Sequence, residues 1–303
     1  MRWIGCLLLL CVISYADHKY FVSGGPLFLY PHQSGLDFAT TSSSPVTIRN
    51  GSVKDIDFDW GVGGRLEAGI ALPRIDFSLF GRWTHFRGCG DGTANAPTGG
   101  AVFPIWCLCS NNLTGATKSV ADWDLALDSI DVGLYGQFHP TLWIDVQPNI
   151  GLKTSFVDQD MRIRTTGPTI DPDRITLDTD MWGIGPRFGV DSRWKFAPYI
   201  GLNANAAIAL LWSSFDTTQK ETQGGATLLN IKSDDRTLRA VLEFNLGPYG
   251  QIDFDSWIMR LALLYDLQVY FSQNAFRRVS TSSGRDDGNL SLQGLYLKIN
   301  LLR

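Results

Sequence analysis

The stretch DFDWGVGGRLEAGIAL, residues 57–72, alternates apolar with polar or small residues over its whole length. Its even positions begin with Phe58 and Trp60, whereas its odd positions carry Arg65 and Glu67. A β-strand places successive side chains on opposite faces. The stretch therefore predicts a strand with one apolar and one polar face. It is long enough to cross a bilayer, since a tilted transmembrane strand needs about 9 to 11 residues.

The same period of two recurs in 142–156, 182–194, 257–271 and 295–301. A membrane helix would need 18 or more uninterrupted apolar residues. The nearest approach after the N-terminal segment is 196–212, which Asn203 and Asn205 interrupt. The pattern therefore favours strands over helices as the membrane-crossing elements.

Segments of this kind predict an all-β fold of about ten strands, with twelve as the alternative. The predicted spans are 20–30, 57–72, 75–86, 122–138, 142–157, 180–195, 197–213, 236–249, 255–271 and 290–302. Short connections at 73–74, 139–141, 196 and 250–254 alternate with long ones at 31–56, 87–121, 158–179, 214–235 and 272–289. Short periplasmic turns and long outer loops are typical of a transmembrane antiparallel up-and-down β-barrel with both termini in the periplasm.

Tryptophan placement favours the same fold, because membrane barrels concentrate aromatic residues in two girdles at the interfaces. Eight of the ten tryptophans fall near predicted strand ends: Trp60, Trp83, Trp123, Trp143, Trp182, Trp194, Trp212 and Trp257. A soluble β-sandwich is the alternative, but its strands average nearer five or six residues.

Two features fit the barrel badly. Apolar residues change phase between Leu127 and Ile130, which predicts a bulge or a later strand start. The chain also ends in Leu301, Leu302 and Arg303, without the terminal aromatic residue usual for outer-membrane assembly.

The N-terminus predicts export. Arg2 supplies a positive charge, 4–13 an apolar stretch, and Ser14, Tyr15 and Ala16 a small-x-small cleavage site. We therefore predict a signal peptide over 1–16 and a barrel domain over 17–303, located in the outer membrane. A buried N-terminal helix and a lipoprotein attached at Cys11 are the alternatives.

Composition narrows the function further. Charged residues make up 18% of the chain, below the 25% or so of an average soluble domain, and aromatic residues 12%. Without Arg2 the chain has 25 basic and 30 acidic residues, a net charge of −5, and no basic run. Nucleic-acid binding is therefore not expected.

Three cysteines, Cys89, Cys107 and Cys109, remain after the predicted cleavage. Export permits a disulfide among them, with one thiol left for another chain. Their spacing matches no zinc site, and we predict neither a metal nor a cofactor.

The face opposite the lipid is where function is expected. Its basic and acidic residues nearly balance, and each is expected either in a structural salt bridge or in contact with a solute. These lumen-facing candidates are Arg65, Arg82, Lys153, Arg187, Arg193, Arg239, Arg260 and Lys298, with Glu67, Asp76, Asp131, Asp145, Asp191, Glu243 and Asp266.

Catalysis is not expected. Of the four histidines, His85 with a loop aspartate is the only candidate pair for an outer-membrane hydrolase, and His18 and His139 have no evident partner. We interpret His85 as an interfacial residue that ends a strand. No GxSxG, Walker or HExxH motif occurs in the chain.

Three motifs resemble the Legionella-type major outer membrane protein family, whose relatives occur in chlamydia-like bacteria. They are DFDWG at 57–61, LEAG at 66–69 and WGIGPRFG at 182–189, and the similarity extends from about Tyr20 to the end. The resemblance implies a pore-forming outer-membrane barrel without catalytic residues. It also implies disulfide-linked envelope proteins as partners, while the missing terminal aromatic and the cysteine-bearing 87–121 loop depart from the family pattern.

The leading prediction is thus a porin-like channel for small solutes or ions. The alternative is a surface structural or adhesion barrel with a filled lumen, and an outer-membrane hydrolase is third. Expected partners are the lipid bilayer, the solutes, and disulfide-linked envelope proteins or further copies of the chain.

Overall fold

The computed structural model describes residues 20–48, 50–72, 77–107, 115–254, 256–276, 279 and 288–303. The predicted signal peptide, Asp76 and Cys109 lie outside these residues. Within the described ranges, no helix is long and apolar enough to span a membrane.

The strands in chain order are β1 (Tyr20–Gln33), β2 (Ala39–Ser42), β3 (Ser52–Lys54), β4 (Asp57–Phe58), β5 (Gly61–Ala71), β6 (Phe77–Asn95), β7 (Ala101–Pro104), β8 (Lys118–Gly136), β9 (Phe138–Thr141), β10 (Ile144–Gly167), β11 (Ile170–Ala197), β12 (Ile200–Gln223), β13 (Ala226–Asp253), β14 (Ile258–Tyr270) and β15 (Leu290–Leu302).

Ten of these strands form a closed antiparallel ring. Its order is β1, β5, β6, β8, β10, β11, β12, β13, β14 and β15, and β15 pairs back to β1. Phe21 lies opposite Leu302 in that closing pair, so both ends of the described chain lie at the same end of the barrel. The prediction of a ten-stranded β-barrel is confirmed.

Two predicted outer loops are instead paired strand. Residues 158–179 continue β10 and β11 to a turn after Gly167, and 214–235 continue β12 and β13 to a turn at Gly224 and Gly225. Both glycines have positive φ, 57° and 88°, as a two-residue hairpin turn that matches strand twist requires. The loop prediction for these two segments is therefore wrong, and long β-hairpins take their place.

The predicted bulge or late start near Trp123 is also wrong, because β8 pairs in continuous register with β6 and β10 from Lys118 onward. Trp123, Leu125 and Leu127 point inward and are buried, whereas Ile130 and Val132 point outward and are exposed. The phase change therefore marks a switch in which face of the strand is apolar. Towards the end of the barrel that carries the chain ends, which the sequence predicts to face the periplasm, lipid covers the outer face, and beyond the switch the barrel interior is the apolar side.

A row of four outward-facing aspartates lies close to the level of this polarity switch on β10 to β13. Asp158, Asp180, Asp216 and Asp234 are successive cross-strand partners on β10 to β13. Two residues nearer the periplasmic end, Trp182 is exposed among other apolar side chains. Because charges are costly on a lipid-facing strand, the row sets the outer limit of the membrane-spanning band.

Most of the tryptophans face the lipid interfaces as expected. Trp60, Trp83, Trp182 and Trp212 are exposed towards the outer side, and Trp143 and Trp194 towards the periplasmic side. Trp123 is the exception, since it is 1% exposed inside the barrel. The girdle prediction is wrong for that residue, which lies beyond the polarity switch.

Candidate functional site in the barrel lumen

Twelve of the charged residues singled out for the lumen occupy inward-facing positions on the long strands. Eight are buried: Arg65, Glu67, Arg82, Asp131, Lys153, Arg187, Arg239 and Asp266. Asp191, Glu243, Arg260 and Lys298 are partly buried. The neighbours of these residues along each strand face outward. Leu66, for example, lies between Arg65 and Glu67 and is 55% exposed.

Two ion pairs cross the lumen. Lys153 Nζ on β10 lies 2.6 Å from Glu243 Oε1 on β13, although β11 and β12 separate the two strands. Arg65 Nη1 on β5 lies 2.7 Å from Asp266 Oδ2 on β14, although β1 and β15 separate those strands. Side chains from strands that are not adjacent thus meet inside the barrel.

Further pairs join the first bridge to the rest of the wall. Arg187 Nη2 donates to Glu243 Oε2 at 2.7 Å, and Lys153 Nζ donates to Asp131 Oδ1 at 3.1 Å. Asp131 also lies 3.9 Å from Arg82, and Arg82 Nε donates to Glu67 Oε2 at 2.8 Å. Burying a charge costs several kcal/mol unless it is paired. The network meets that requirement with three basic and three acidic members.

Neutral groups complete the network. Tyr135 accepts a hydrogen bond from Arg82 at 2.8 Å and donates one to Glu67 at 3.2 Å. Asn149 Oδ1 accepts from Arg187 at 2.7 Å. The sequence analysis did not single out these two residues. Strand parity could have found them, since Tyr135 shares a face with Asp131, and Asn149 with Lys153.

The outer half of the lumen is apolar and filled by connecting segments. Trp106, Phe276 and Phe38 come from three different loops and are buried with the inward side chains of the strands. The rings of Trp106 and Phe276 meet edge to face at 6.5 Å. Trp106 Nε1 donates to Asp37 O at 2.7 Å, and Gln219 of the wall donates to Trp106 O at 2.7 Å. The loops are thereby fixed inside the barrel.

A small antiparallel sheet supports this filling. β2 pairs with both β3 and β7, and so joins the connection between β1 and β5 to the one between β6 and β8. Ala39, Ala101 and Val102 of this sheet are fully buried. The two loops therefore pack as one unit at the outer mouth.

The periplasmic half is open by comparison. A cavity of about 630 Å³ lies between the chain ends and the ion-pair network, with Arg193, Arg260, Lys298 and Asp191 in its lining. Asp191 accepts hydrogen bonds from Asn205 at 2.6 Å and from Asn149 at 3.2 Å. With Glu67, five predicted lumen residues line this solvent-accessible cavity.

The remaining candidates lie at the two margins. Arg239 lies in the outer half with its guanidinium 5.2 Å from the ring centroid of Phe215. Asp145, at the periplasmic end, lies 3.0 Å from Lys195, 3.6 Å from Arg193 and 2.9 Å from His139. His139 therefore has an acidic partner that the sequence did not reveal, because a turn brings the two residues together.

Cys89 and Cys107 are the two candidate cysteines that the structure describes, and they are not bonded to each other; Cys89 is exposed and Cys107 is partly buried. Cys89 lies on the outward face of β6, whereas Cys107 follows the loop that fills the lumen. Their different faces keep them apart, and a disulfide that includes Cys109 stays a prediction.

His85 does have an aspartate beside it, but on the outside of the barrel. Its Nδ1 lies 2.9 Å from Asp128 Oδ1, which also accepts from Trp83 Nε1 at 3.1 Å. Both residues face the interfacial belt rather than the lumen. Among the described residues, no three His, Cys, Asp or Glu side chains are arranged to hold a metal ion.

A family model described as Legionella pneumophila major outer membrane protein precursor matches residues 13–302. The chain belongs to this family. The predicted resemblance is thereby confirmed, and membership of the major outer membrane protein family places the barrel in the outer membrane. No curated protein sequence matches the chain.

Solved structures similar to this member of the major outer membrane protein family are outer-membrane proteins. The outer membrane protease OmpT from Escherichia coli aligns with a TM-score of 0.48 and 10% identity, covering 96% of this chain and 98% of its own. A major outer membrane protein from Thermus thermophilus aligns with a TM-score of 0.38 and 12% identity, covering 95% and 100%. The attachment invasion locus protein Ail of Yersinia pestis aligns with a TM-score of 0.27 and 6% identity, covering 93% and 99%.

Proposed function

We propose that this outer-membrane protein is a surface structural and adhesion barrel with a closed lumen. The observation that carries the proposal is the filling of the outer half of the barrel by Trp106, Phe276 and Phe38 from three loops. Below them, the pairs Lys153 with Glu243 and Arg65 with Asp266 cross the lumen. These buried side chains occupy the lumen at two levels, which supports a closed barrel.

The two long hairpins supply the surface to be displayed. β10 and β11 run about 30 Å along the strand beyond Asp158, at roughly 3.3 Å per residue, before they turn after Gly167. β12 and β13 extend in the same way from Asp216 to the turn at Gly224. These four strands therefore form a continuous wall that projects from the membrane.

Deleting the hairpin tips tests this proposal. In one variant, 162–174 and 220–229 are each replaced by a two-residue turn, which removes the projecting wall and leaves the membrane band intact. Cells that produce this variant should attach to host-cell surfaces much less than cells that produce the full chain at equal amounts. Equal attachment by both strains contradicts the proposal.

Passage of small solutes is the second candidate, and one observation favours it. The cavity of about 630 Å³ in the periplasmic half of the lumen has charged side chains such as Arg260 and Lys298 in its lining. Passage then requires the loop side chains to leave the outer half and the two ion-pair bridges to open. Liposomes containing the protein should swell in arabinose if the loops move in this way, and should not swell if the lumen stays closed.

We infer that the pair His85 and Asp128 is structural rather than catalytic, because it lies on the lipid side of β6 and β8 beside Trp83. A catalytic pair needs a site where a substrate can approach it in a defined orientation. Replacing His85 with Ala should leave any peptide hydrolysis by purified protein unchanged. A loss of hydrolysis in His85→Ala contradicts this interpretation.

A further inference from the structure

The cavity in the periplasmic half of the lumen has a defined floor and mouth. Glu67 and Tyr135 of the ion-pair network close it on the outer side. Arg303, Leu302 and Tyr20 border it at the periplasmic end. Its volume of about 630 Å³ falls within the roughly 300–1,000 Å³ that are usual for small-molecule sites.

Four basic side chains line this cavity. Arg193 comes from β11, Arg260 from β14 and Lys298 from β15, and Arg303 follows β15. Arg193 has an acidic neighbour, since its Nη2 lies 3.6 Å from Asp145. No described acidic side chain lies within 4.0 Å of the charged nitrogens of Arg260 or Lys298. The described carboxylates in the lining already accept hydrogen bonds, Glu67 from Arg82, Asp191 from two asparagines and Asp253 from Gln251.

Arg260 has a guanidinium that is only partly satisfied. Its Nε donates to Gln251 Oε1 at 2.7 Å, and its buried Nη1 has no hydrogen-bond partner among the described residues. The side chain lines the cavity without an acidic partner. A guanidinium in this position favours an anionic group in the cavity, because hydrogen bonds to a charged acceptor are stronger than hydrogen bonds to a neutral one.

Part of the cavity wall is apolar. Phe21, Ala262, Leu264 and Trp257 contribute to it. Ala262 and Leu264 share the inward face of β14 with Arg260, so the charge and the apolar surface are adjacent. A ligand that uses both has an acidic head and an apolar body.

We propose that this cavity binds a small organic carboxylate from the periplasmic side. The carboxylate accepts hydrogen bonds from Arg260 near Lys298, and the apolar body lies along Leu264 and Trp257. This binding goes beyond display of the outer hairpins. It does not require the outer half of the lumen to open, so adhesion and anion binding succeed or fail separately.

Titration calorimetry on the folded full-length protein in a nonionic detergent tests the proposal, with benzoate as the probe. Benzamide has the same ring without the charge, and inorganic phosphate has charge without the apolar body. Benzoate should bind saturably at one site, and benzamide and phosphate should bind at least tenfold more weakly. No saturable benzoate binding, or binding of benzamide or phosphate as tight as that of benzoate, overturns the proposal.

Variants locate the site. Arg260→Gln should weaken benzoate binding at least tenfold, and Lys298→Gln should weaken it to a smaller extent. Arg174→Gln is the matched control, because Arg174 is exposed on the outer hairpin, far from the cavity. This variant should bind benzoate as tightly as the unchanged protein does. Unchanged benzoate affinity in folded Arg260→Gln overturns the assignment of the site to this cavity. If Arg260→Gln does not fold, unchanged benzoate affinity in Lys298→Gln overturns the assignment instead.

Discussion

Lys153 Nζ and Glu243 Oε1 lie 2.6 Å apart, on strands that two further strands separate around the barrel wall. Their side chains are 1% and 13% exposed. Pairing of adjacent strands does not explain this contact, because β11 and β12 lie between the two strands that carry the atoms. The contact shows that inward side chains from strands that are not adjacent meet inside the barrel at this level.

Removing the Glu243 charge should destabilise the barrel strongly. Glu243→Gln leaves Lys153 and Arg187 without their shortest ionic contacts, and breaking a buried pair costs about 3–5 kcal/mol. Equilibrium unfolding in urea with the protein in vesicles measures the loss. Asp171→Asn, at an exposed position on the outer hairpin, should change stability by less than about 0.5 kcal/mol. Equal stability of the two variants contradicts the structural role of the network.

Asp173 should make the projecting hairpin sensitive to pH. It is fully buried near the turn, well beyond the aspartate row, and neither of its carboxylate oxygens has a hydrogen-bond partner in the described part of the chain. Burial, followed by the charge of Glu221, raises the pKa of Asp173 to about 7. In the unfolded chain its pKa is about 3.9. The folded state therefore binds more protons between these values, and stability falls as pH rises.

The expected slope is at most about 1.4 kcal/mol per pH unit between about pH 4 and pH 7. Hydrogen exchange of amides in the β10–β11 hairpin should be slower relative to the free-peptide rate at pH 5 than at pH 8. Asp173→Asn should remove the difference, and Asp171→Asn should keep it. A pH dependence that survives in Asp173→Asn contradicts the assignment to this carboxyl.

Cys89 should be accessible but slow to react. Partial burial, with the charges of Asp59, Asp124 and Asp91, raises the pKa of its thiol. Because the thiolate is the reactive form, maleimide labelling should accelerate as pH rises from 7 to 9. Asp124→Asn should speed labelling at pH 7, whereas Asp253→Asn at the other end of the barrel should not. Failure of Cys89 to label before reduction shows that it is joined to another chain by a disulfide.

The number of strands and their order around the wall could be predicted from the sequence because lipid and lumen impose opposite polarity on alternate residues. The stretch 57–72 shows this alternation of polarity along its whole length. Alternation gives each residue a face, so Arg65, Lys153 and Arg187 could be assigned to the interior one by one. The same rule gives no distances across the lumen, and the partners of these charges therefore required the structure.

The hairpin extensions could not be predicted from a single alternation pattern. Beyond the row of Asp158 and Asp180, water replaces lipid outside the barrel while loop side chains fill the inside. Apolar residues such as Met161 and Leu177 consequently change parity and turn inward. A pattern fitted to the membrane band ends there, which explains both the missed strands and the apparent bulge near Trp123.

One measurement can decide whether the lumen is closed. Purified protein is refolded, its insertion into planar bilayers is verified by flotation of matched vesicles, and current is recorded in concentrated KCl. The filled outer half and the crossing ion pairs predict a silent membrane at moderate voltage. Discrete, reproducible conductance steps from the unchanged protein would contradict the closed barrel and favour a porin.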